Sequence, residues 1–300
     1  MRRWVKRLGL TIATLLTMGI VLVVISTRLA YSRPTWYAVR PHRVPGAAPT
    51  EFDAAGDRAD QKVVALLSWA AAAQARIAAM PAPRASAATP ASRPGADDPP
   101  GENVTFTADE INAFVDKWLN SDPSALGGAV ARFGSDPQIQ FEQGRLILAA
   151  TVPNSSIVIS IYLQPAIDDQ GKLSLPIVAV QSGRLPLPMS MFGGAKSSAA
   201  AKLRENLPAW QAAARIDPDG AANGQAVRAT LALATLNLLG DRSADPIVFL
   251  PFDVRRPRQS IPVSIRAIEI TDQTLSLTID ALNAEKRAAL LNEIQSPVEP

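Results

Sequence analysis

Gly144–Leu163, GRLILAATVPNSSIVISIYL, is the stretch whose period decides the fold. Leu146, Leu148, Ala150 and Val152 alternate with their neighbours, and so do Ile157, Ile159, Ile161 and Leu163. Pro153-Asn154-Ser155 falls between the two runs as a turn. Period two puts alternate side chains on opposite faces of a strand. The stretch therefore predicts an antiparallel hairpin with one aliphatic face, Ser156, Ser160 and Gln164 lying opposite.

The same grammar extends outward. Gly144-Arg145-Leu146-Ile147-Leu148 is followed by Gly171-Lys172-Leu173-Ser174-Leu175 and Gly183-Arg184-Leu185-Pro186-Leu187. In each copy glycine permits a turn at positive φ, the basic residue opens the strand in water, and two apolar residues share a face. Leu173, Leu175, Ile177 and Ala179 are assigned to one face on this reading. The third copy differs, because Pro186 and Pro188 cannot donate to a ladder. That strand is expected at a sheet edge, with Leu185, Pro186 and Leu187 on the rim of an apolar groove. Residues 197–214 then turn helical, aligning Leu203, Leu207 and Trp210, and Pro208 is expected to kink or end the helix. Leu207 and Trp210 complete the hypothetical groove rim.

Towards the N-terminus, Val104-Thr105-Phe106 reads as a strand. Thr107-Ala108-Asp109-Glu110 is a capping box opening a helix to about Asn120. Residues 51–80 carry an apolar helical stripe at Val63, Leu66, Leu67, Ala70, Ala73 and Ile77, interrupted by Gln74. Such a stripe requires a partner: the body, a second copy or a membrane surface. Residues 81–101, PAPRASAATPASRPGADDPPG, form an Ala/Pro/Ser-rich linker. Residues 32–50, with Pro34, Pro41, Pro45 and Pro49, read as an extended stalk.

The remaining C-terminal chain is mixed. Residues 222–239 read as an apolar helix, with a strand left open for Thr230-Leu-Ala-Leu-Ala-Thr-Leu236. Pro246–Phe252 reads as a strand. Val263–Arg266 and Leu275–Ile279 form a hairpin around Thr271-Asp272-Gln273, and Asn283 opens a last helix. The fold class is α+β: a transmembrane helix, then a curved antiparallel sheet whose apolar face is packed by helices, over a body at 102–300.

The net charge of +3 misleads, because Arg2, Arg3, Lys6, Arg7, Arg28, Arg33, Arg40 and Arg43 precede any acid. The other 22 basic residues meet 27 acidic ones, which excludes a basic nucleic-acid face. Leu8–Ser26 then runs nineteen residues without a charge, about 28 Å as a helix and close to a bilayer core of ~30 Å. The run is longer than a signal-peptide core and leaves through Thr27-Arg28 rather than small residues. Residues 1–31 are therefore read as a cytoplasmic tip and an uncleaved anchor that leaves the body outside the cytosol, on an inner membrane. Trp4, Tyr31, Trp36 and Tyr37 are assigned to the interfaces.

Reactive chemistry is sparse. There is no cysteine, and the sole histidine, His42, stands alone in the stalk. Gly193-Gly194-Ala195-Lys196-Ser197 lacks the glycines of a phosphate loop and reads as a helix entrance. Asp168-Asp169 sit in a turn. The chain is read as a non-enzyme without cofactor or metal.

Three blocks carry a family likeness. These are Val104-Thr-Phe-Thr-Ala-Asp-Glu-Ile-Asn112, the run from Tyr162-Leu-Gln-Pro165 to Gly183-Arg-Leu-Pro-Leu-Pro188, and Leu207-Pro208-Ala209-Trp210. Over residues 103–215 the chain resembles the YpmS-like family of single-pass bacterial membrane proteins. The resemblance implies an N-terminal anchor, an extracytoplasmic body and binding of lipid or another envelope component. The inserted 51–101 segment and the helical run at 222–239 depart from the family pattern. Two functions follow: an extracytoplasmic binding protein for an apolar ligand, or an envelope scaffold that recruits a protein partner through helix 51–80.

Overall fold

The computed structural model describes residues 25–37, 50–79, 101–121, 135–216, 222–250 and 260–296. The anchor through Val24, His42 and most of the stalk, and all but the last residue of the linker lie outside them. The chain is α+β, with two larger antiparallel sheets and a two-stranded one.

The hairpin predicted from Gly144–Leu163 is present as β3 (Arg145–Thr151) and β4 (Val158–Leu163). Its register sets Leu146 opposite Leu163, Leu148 opposite Ile161 and Ala150 opposite Ile159. Antiparallel partners share a face, so the aliphatic alternation reads correctly. β2 (Ser135–Glu142) extends this face with Phe141 and Ile139, and β7 (Ile177–Ser182) extends it with Val180. β8 (Leu185–Pro186) closes the five-stranded order β2-β3-β4-β7-β8 as the short edge expected of a proline-bearing strand.

The middle copy of the repeat departs from the meander. Leu173 and Ser174 form β6, which pairs with β5 (Ala166–Ile167) in a separate small hairpin. Pro176 separates β6 from β7. A register shift then sets Ile177 opposite Leu163 but Ala179 opposite Tyr162. Ile177 and Ala179 thus align with opposite faces, which corrects the single face assigned to Leu173–Ala179. A bulge breaks strict alternation by one residue, and composition alone does not mark it.

The second sheet has the order β1 (Glu102–Thr107), β11 (Thr274–Ala281), β10 (Ile261–Ile270), β9 (Ile247–Leu250). Helix α1 (Glu51–Ala79) lies on it, burying Leu66 and Ala70 against Val104, Leu250, Val263 and Ile279. Its partner is therefore the body, with which residues 51–79 pack. Gln74, the polar interruption, is 4% exposed and donates from Nε2 to the Leu282 carbonyl at 3.1 Å.

Helices α3 (Gly193–Ala212), α4 (Gly224–Leu239) and α5 (Ala284–Gln295) share a third cluster around Leu207, Val227, Ala229, Phe249, Leu290 and Ile294. The ambiguous Thr230–Leu236 run is helical. Asn223 caps α4 by accepting from the Ala226 amide at 2.9 Å, and Asn283 caps α5 by accepting from Lys286 at 2.9 Å. α3 continues through Pro208, so the proline does not end the helix. Pro208 and Arg204 are both exposed, so water can serve the carbonyl that proline leaves without an amide.

The capping box forms as read. At the start of α2 (Ala108–Ser121), Thr107 Oγ1 accepts from the Glu110 amide at 3.2 Å, and Glu110 Oε2 accepts from the Thr107 amide at 2.9 Å. Glu110 is only 3% exposed and also accepts from Lys62 Nζ of α1 at 2.7 Å, with Arg58 at 3.5 Å. Burial pushes its carboxyl up. The Lys62 and Thr107 hydrogen bonds and the charges of Lys62 and Arg58 outweigh this, and the net shift is downward from 4.5. The pair stabilises the folded state above the ordinary carboxylate pKa, and that contribution disappears as pH falls through the lowered folded value. Glu110→Ala is expected to cost roughly 2–3 kcal/mol at pH 7 in urea unfolding, and the difference from wild type should shrink at pH 3.

Candidate functional site

The five residues assigned to a groove rim do not form one set. Leu207 is 1% exposed inside the helical cluster, and Trp210 packs against that cluster. Leu185 and Pro186 lie on the edge strand β8, and Leu187 donates its amide to Val180. None of these three belongs to the cluster that holds Leu207. Helix α3 spends its apolar face on α4 and α5, which leaves nothing to complete the rim.

The sheet itself brings together a larger surface. Ile139, Leu146, Leu148, Ile159 and Ile161 share the aliphatic face and are all only half-buried. They belong to none of the three hydrophobic clusters among the described residues. Helices α1 to α5 pack chiefly on the second sheet, on one another or at the β2 edge. At that edge Asn112 of α2 donates to the Ile139 carbonyl at 2.8 Å and accepts from its amide at 2.7 Å. A side-chain amide thereby replaces a neighbouring strand and closes the edge to other chains.

Both faces carry buried residues: Phe141, Leu163 and Val180 on the aliphatic one, and a second set on the face expected to meet water. Ile147, Ala149, Val158 and Ser160 are buried, Ser160 completely. Tyr37 and Trp36 cover Ala149 and Val158. The Tyr37 hydroxyl donates to the Asp136 carbonyl at 2.7 Å and lies 2.9 Å from Thr151 Oγ1. Tyr37 is 4% exposed, so it is a core residue and not the interfacial anchor expected of it. Residues 33–37 are likewise docked on the sheet and not part of a free stalk.

Residues 25–31 are helical, and the end of this helix meets the β7–β8 turn. Arg184 donates its amide to the Leu29 carbonyl at 2.9 Å, and Gly183 donates to Val158 at 2.7 Å. The repeat glycines all have positive φ: 78° at Gly144, 73° at Gly171 and 59° at Gly183. Only at Gly183 is there a second demand. A Cβ there would fall 2.5 Å from the Leu29 carbonyl oxygen and closer still to that of Ser32.

A cavity of about 630 Å³ opens on the covered face. Its floor is the row Gln140, Ile147 and Tyr162, adjacent across β2, β3 and β4. Trp36 stands beside this row, and Glu142, Gln143 and Asp272 also line the space. Asp272 accepts from the Gln143 amide at 2.9 Å, joining the two sheets. Burial pushes the Tyr162 phenol up, and Glu142 adds to the rise against a smaller opposing effect of Arg145; the hydroxyl donates to Gln181 Oε1 at 3.2 Å. These groups can stack and hydrogen-bond a small polar molecule; they do not include a nucleophile held by a base.

The other perturbed groups are structural. Burial pushes Glu293 up, helped by its hydrogen bond to Asp245 and by that carboxylate's charge. Lys172, of the second repeat copy, pairs with Asp245 at 2.6 Å. The space beside this carboxyl pair is about 10 Å³, too small for any substrate. Asp168 accepts from the Gln170 and Lys172 amides at 2.9 and 2.8 Å, which gives it a turn role. Among the described residues no group of three or more His, Asp or Glu converges as a metal site.

Gly183→Ala and Gly144→Ala separate the two demands on glycine. Both carry the cost of positive φ, ~1 kcal/mol. A Cβ at Gly144 meets nothing within 4 Å, so that variant should keep residues 25–37 docked. Gly183→Ala should release them, which is read as faster tryptic cleavage after Arg28 in the full chain; Arg33 precedes Pro34 and is not a tryptic site.

No protein-family model, no curated protein and no solved structure matches the chain, so the YpmS-like resemblance of residues 103–215 rests on its motifs alone.

Proposed function

We propose that the chain is a membrane-anchored, extracytoplasmic binding protein that takes an acyl chain or similar apolar ligand on the aliphatic face of the five-stranded sheet. The observation that carries this reading is the half-buried row Ile139, Leu146, Leu148, Ile159 and Ile161, which belongs to no hydrophobic cluster among the described residues. Buried Phe141, Leu163 and Val180 continue the same face. The apolar run Leu8–Ser26 supplies the anchor, on the inner membrane with the N-terminus in the cytosol. That run lies mostly outside the described residues, among which no helix is long and apolar enough to cross a membrane.

The scaffold alternative needed the stripe of helix 51–80 to be open. Leu66, Ala70 and Ala73 are buried, and Leu66 and Ala70 pack within the body, so a partner would have to use the outer side, where Val64 is 60% exposed. The aliphatic sheet face is the more extensive surface.

The test is extraction of the full chain, purified in a mild detergent, followed by lipid mass spectrometry. Lipid should accompany the wild type at a fixed ratio. It should be lost in Leu148→Glu and Ile161→Glu, with an unchanged circular dichroism spectrum in each variant as the control that the sheet still folds. Val158→Glu, on the buried face, should unfold the sheet. Equal lipid in wild type and in the two glutamate variants would rule the face out.

A further inference from the structure

The docked segment brings three arginines to one place. Arg28 lies on the helix at residues 25–31, Arg33 follows it directly, and Arg184 is held there by its amide bond to the Leu29 carbonyl. Their backbones fall within about 10 Å, two turns of helix. All three side chains are exposed, and none has an ion-pair or hydrogen-bond partner for its guanidinium among the described residues. Elsewhere in the chain the exposed cations are often spoken for: Lys62 meets Glu110, Lys117 meets Asp57 and Asp60, Lys172 meets Asp245, and Lys196 meets Asp241.

The helix face is also sorted. Ile25, Arg28 and Tyr31 recur every three residues and are exposed, Ile25 at 49% and Tyr31 at 55%. Leu29 and Ala30 are half-buried, and their carbonyl oxygens lie against the Gly183 turn. An exposed stripe of isoleucine, arginine and tyrosine suits a bilayer interface, where apolar stems sink and charged heads stay in water. The rest of the chain is acidic, with 22 basic against 27 acidic residues beyond the first 45. The body's net charge is thus opposed to an anionic surface, and the three arginines run against that sign.

We propose that Arg28, Arg33 and Arg184 together dock on the anionic headgroups of the leaflet from which the anchor emerges. The docking seats the β3–β4 and β7–β8 turns on the bilayer. Both turns lie at the same end of the sheet, since Gly183 bonds to Val158. The opposite end, where the β2–β3 turn meets the β10–β11 turn through Gly144 and Ile270, points away from it. The body then stands upright on its docked helix, with the aliphatic face reaching the bilayer surface. This inference rests on the membrane anchor proposed above.

The chain has no cysteine, so single labels are clean. Full-length Ser156→Cys and Gln273→Cys, spin-labelled, are reconstituted in phosphatidylglycerol-containing and in pure phosphatidylcholine vesicles. Collisional access to an aqueous relaxation agent is then compared. The label at position 156 should be shielded in phosphatidylglycerol, while the label at 273 stays accessible in both. Each arginine changed to glutamine should weaken the shielded state about fivefold, and 0.5 M salt should abolish it. Equal access at position 156 in both lipids, or shielding that survives the triple glutamine variant, would overturn the proposal while leaving the anchor intact. Release of the chain from vesicles by alkaline carbonate would overturn the anchor reading and the proposal with it.

Discussion

One hydrogen bond, from the Arg184 amide to the Leu29 carbonyl, fixes how the chain leaves its N-terminal helix. It forms only because the preceding residue is glycine, with φ 59° and three carbonyl oxygens where a Cβ would stand. Once Leu29 is held, the next turn of chain has one path. It runs along the sheet, places Trp36 beside the Gln140–Ile147–Tyr162 row and buries Tyr37 over Val158. The cover over Ala149 and Val158 and the wall of the cavity at Trp36 both follow from that junction. A tether would leave the two faces equivalent to solvent. A docked segment makes them different, covering the mixed face and leaving the aliphatic one half-open.

Much of the local structure was legible in the sequence because local physics decides it. The capping box at Thr107–Glu110, the Asn283 cap, the β3–β4 register and the positive φ of the repeat glycines depend on residues a few positions apart. What was not legible depends on long-range company. Ser160 looks like a water-facing residue until Tyr37, 123 positions away, is found on its side of the sheet. Leu207 and Trp210 look like groove residues until α4 and α5 arrive to bury them. The break at Pro176 and the bulge beyond it removed the second repeat copy from the meander, although its period-two pattern was intact. Asn112 stood inside a quoted motif, but its role needs the β2 edge beside it.

The same comparison explains why so little chemistry survives. Several of the acids are committed to structure. Glu110 closes a helix start and ties it to α1. Asp168 shapes a turn, and Asp245 holds Lys172 and Glu293 in a space with no room for substrate. The polar groups left facing open space, around Trp36 and Tyr162, can hold a molecule but are not arranged to transfer a proton through it.

The half-open face also sets a limit on how such a protein can work. Completing the burial of Leu146, Leu148, Ile159 and Ile161 would gain about 1 kcal/mol each, roughly 3–6 kcal/mol together. Association itself costs several kcal/mol in lost freedom, so a soluble apolar ligand at low concentration would occupy this surface only weakly. The balance changes when the face is held at a bilayer. Lipid is then presented at high effective concentration, and weak contact becomes frequent occupancy without any tight pocket. A rigid junction matters for the same reason: it keeps the face within reach of the surface instead of averaging over all orientations. On the proposed reading, the anchor, the docked helix and the shallow aliphatic sheet are parts of one device. Remove any one of them, and the other two lose their physical reason.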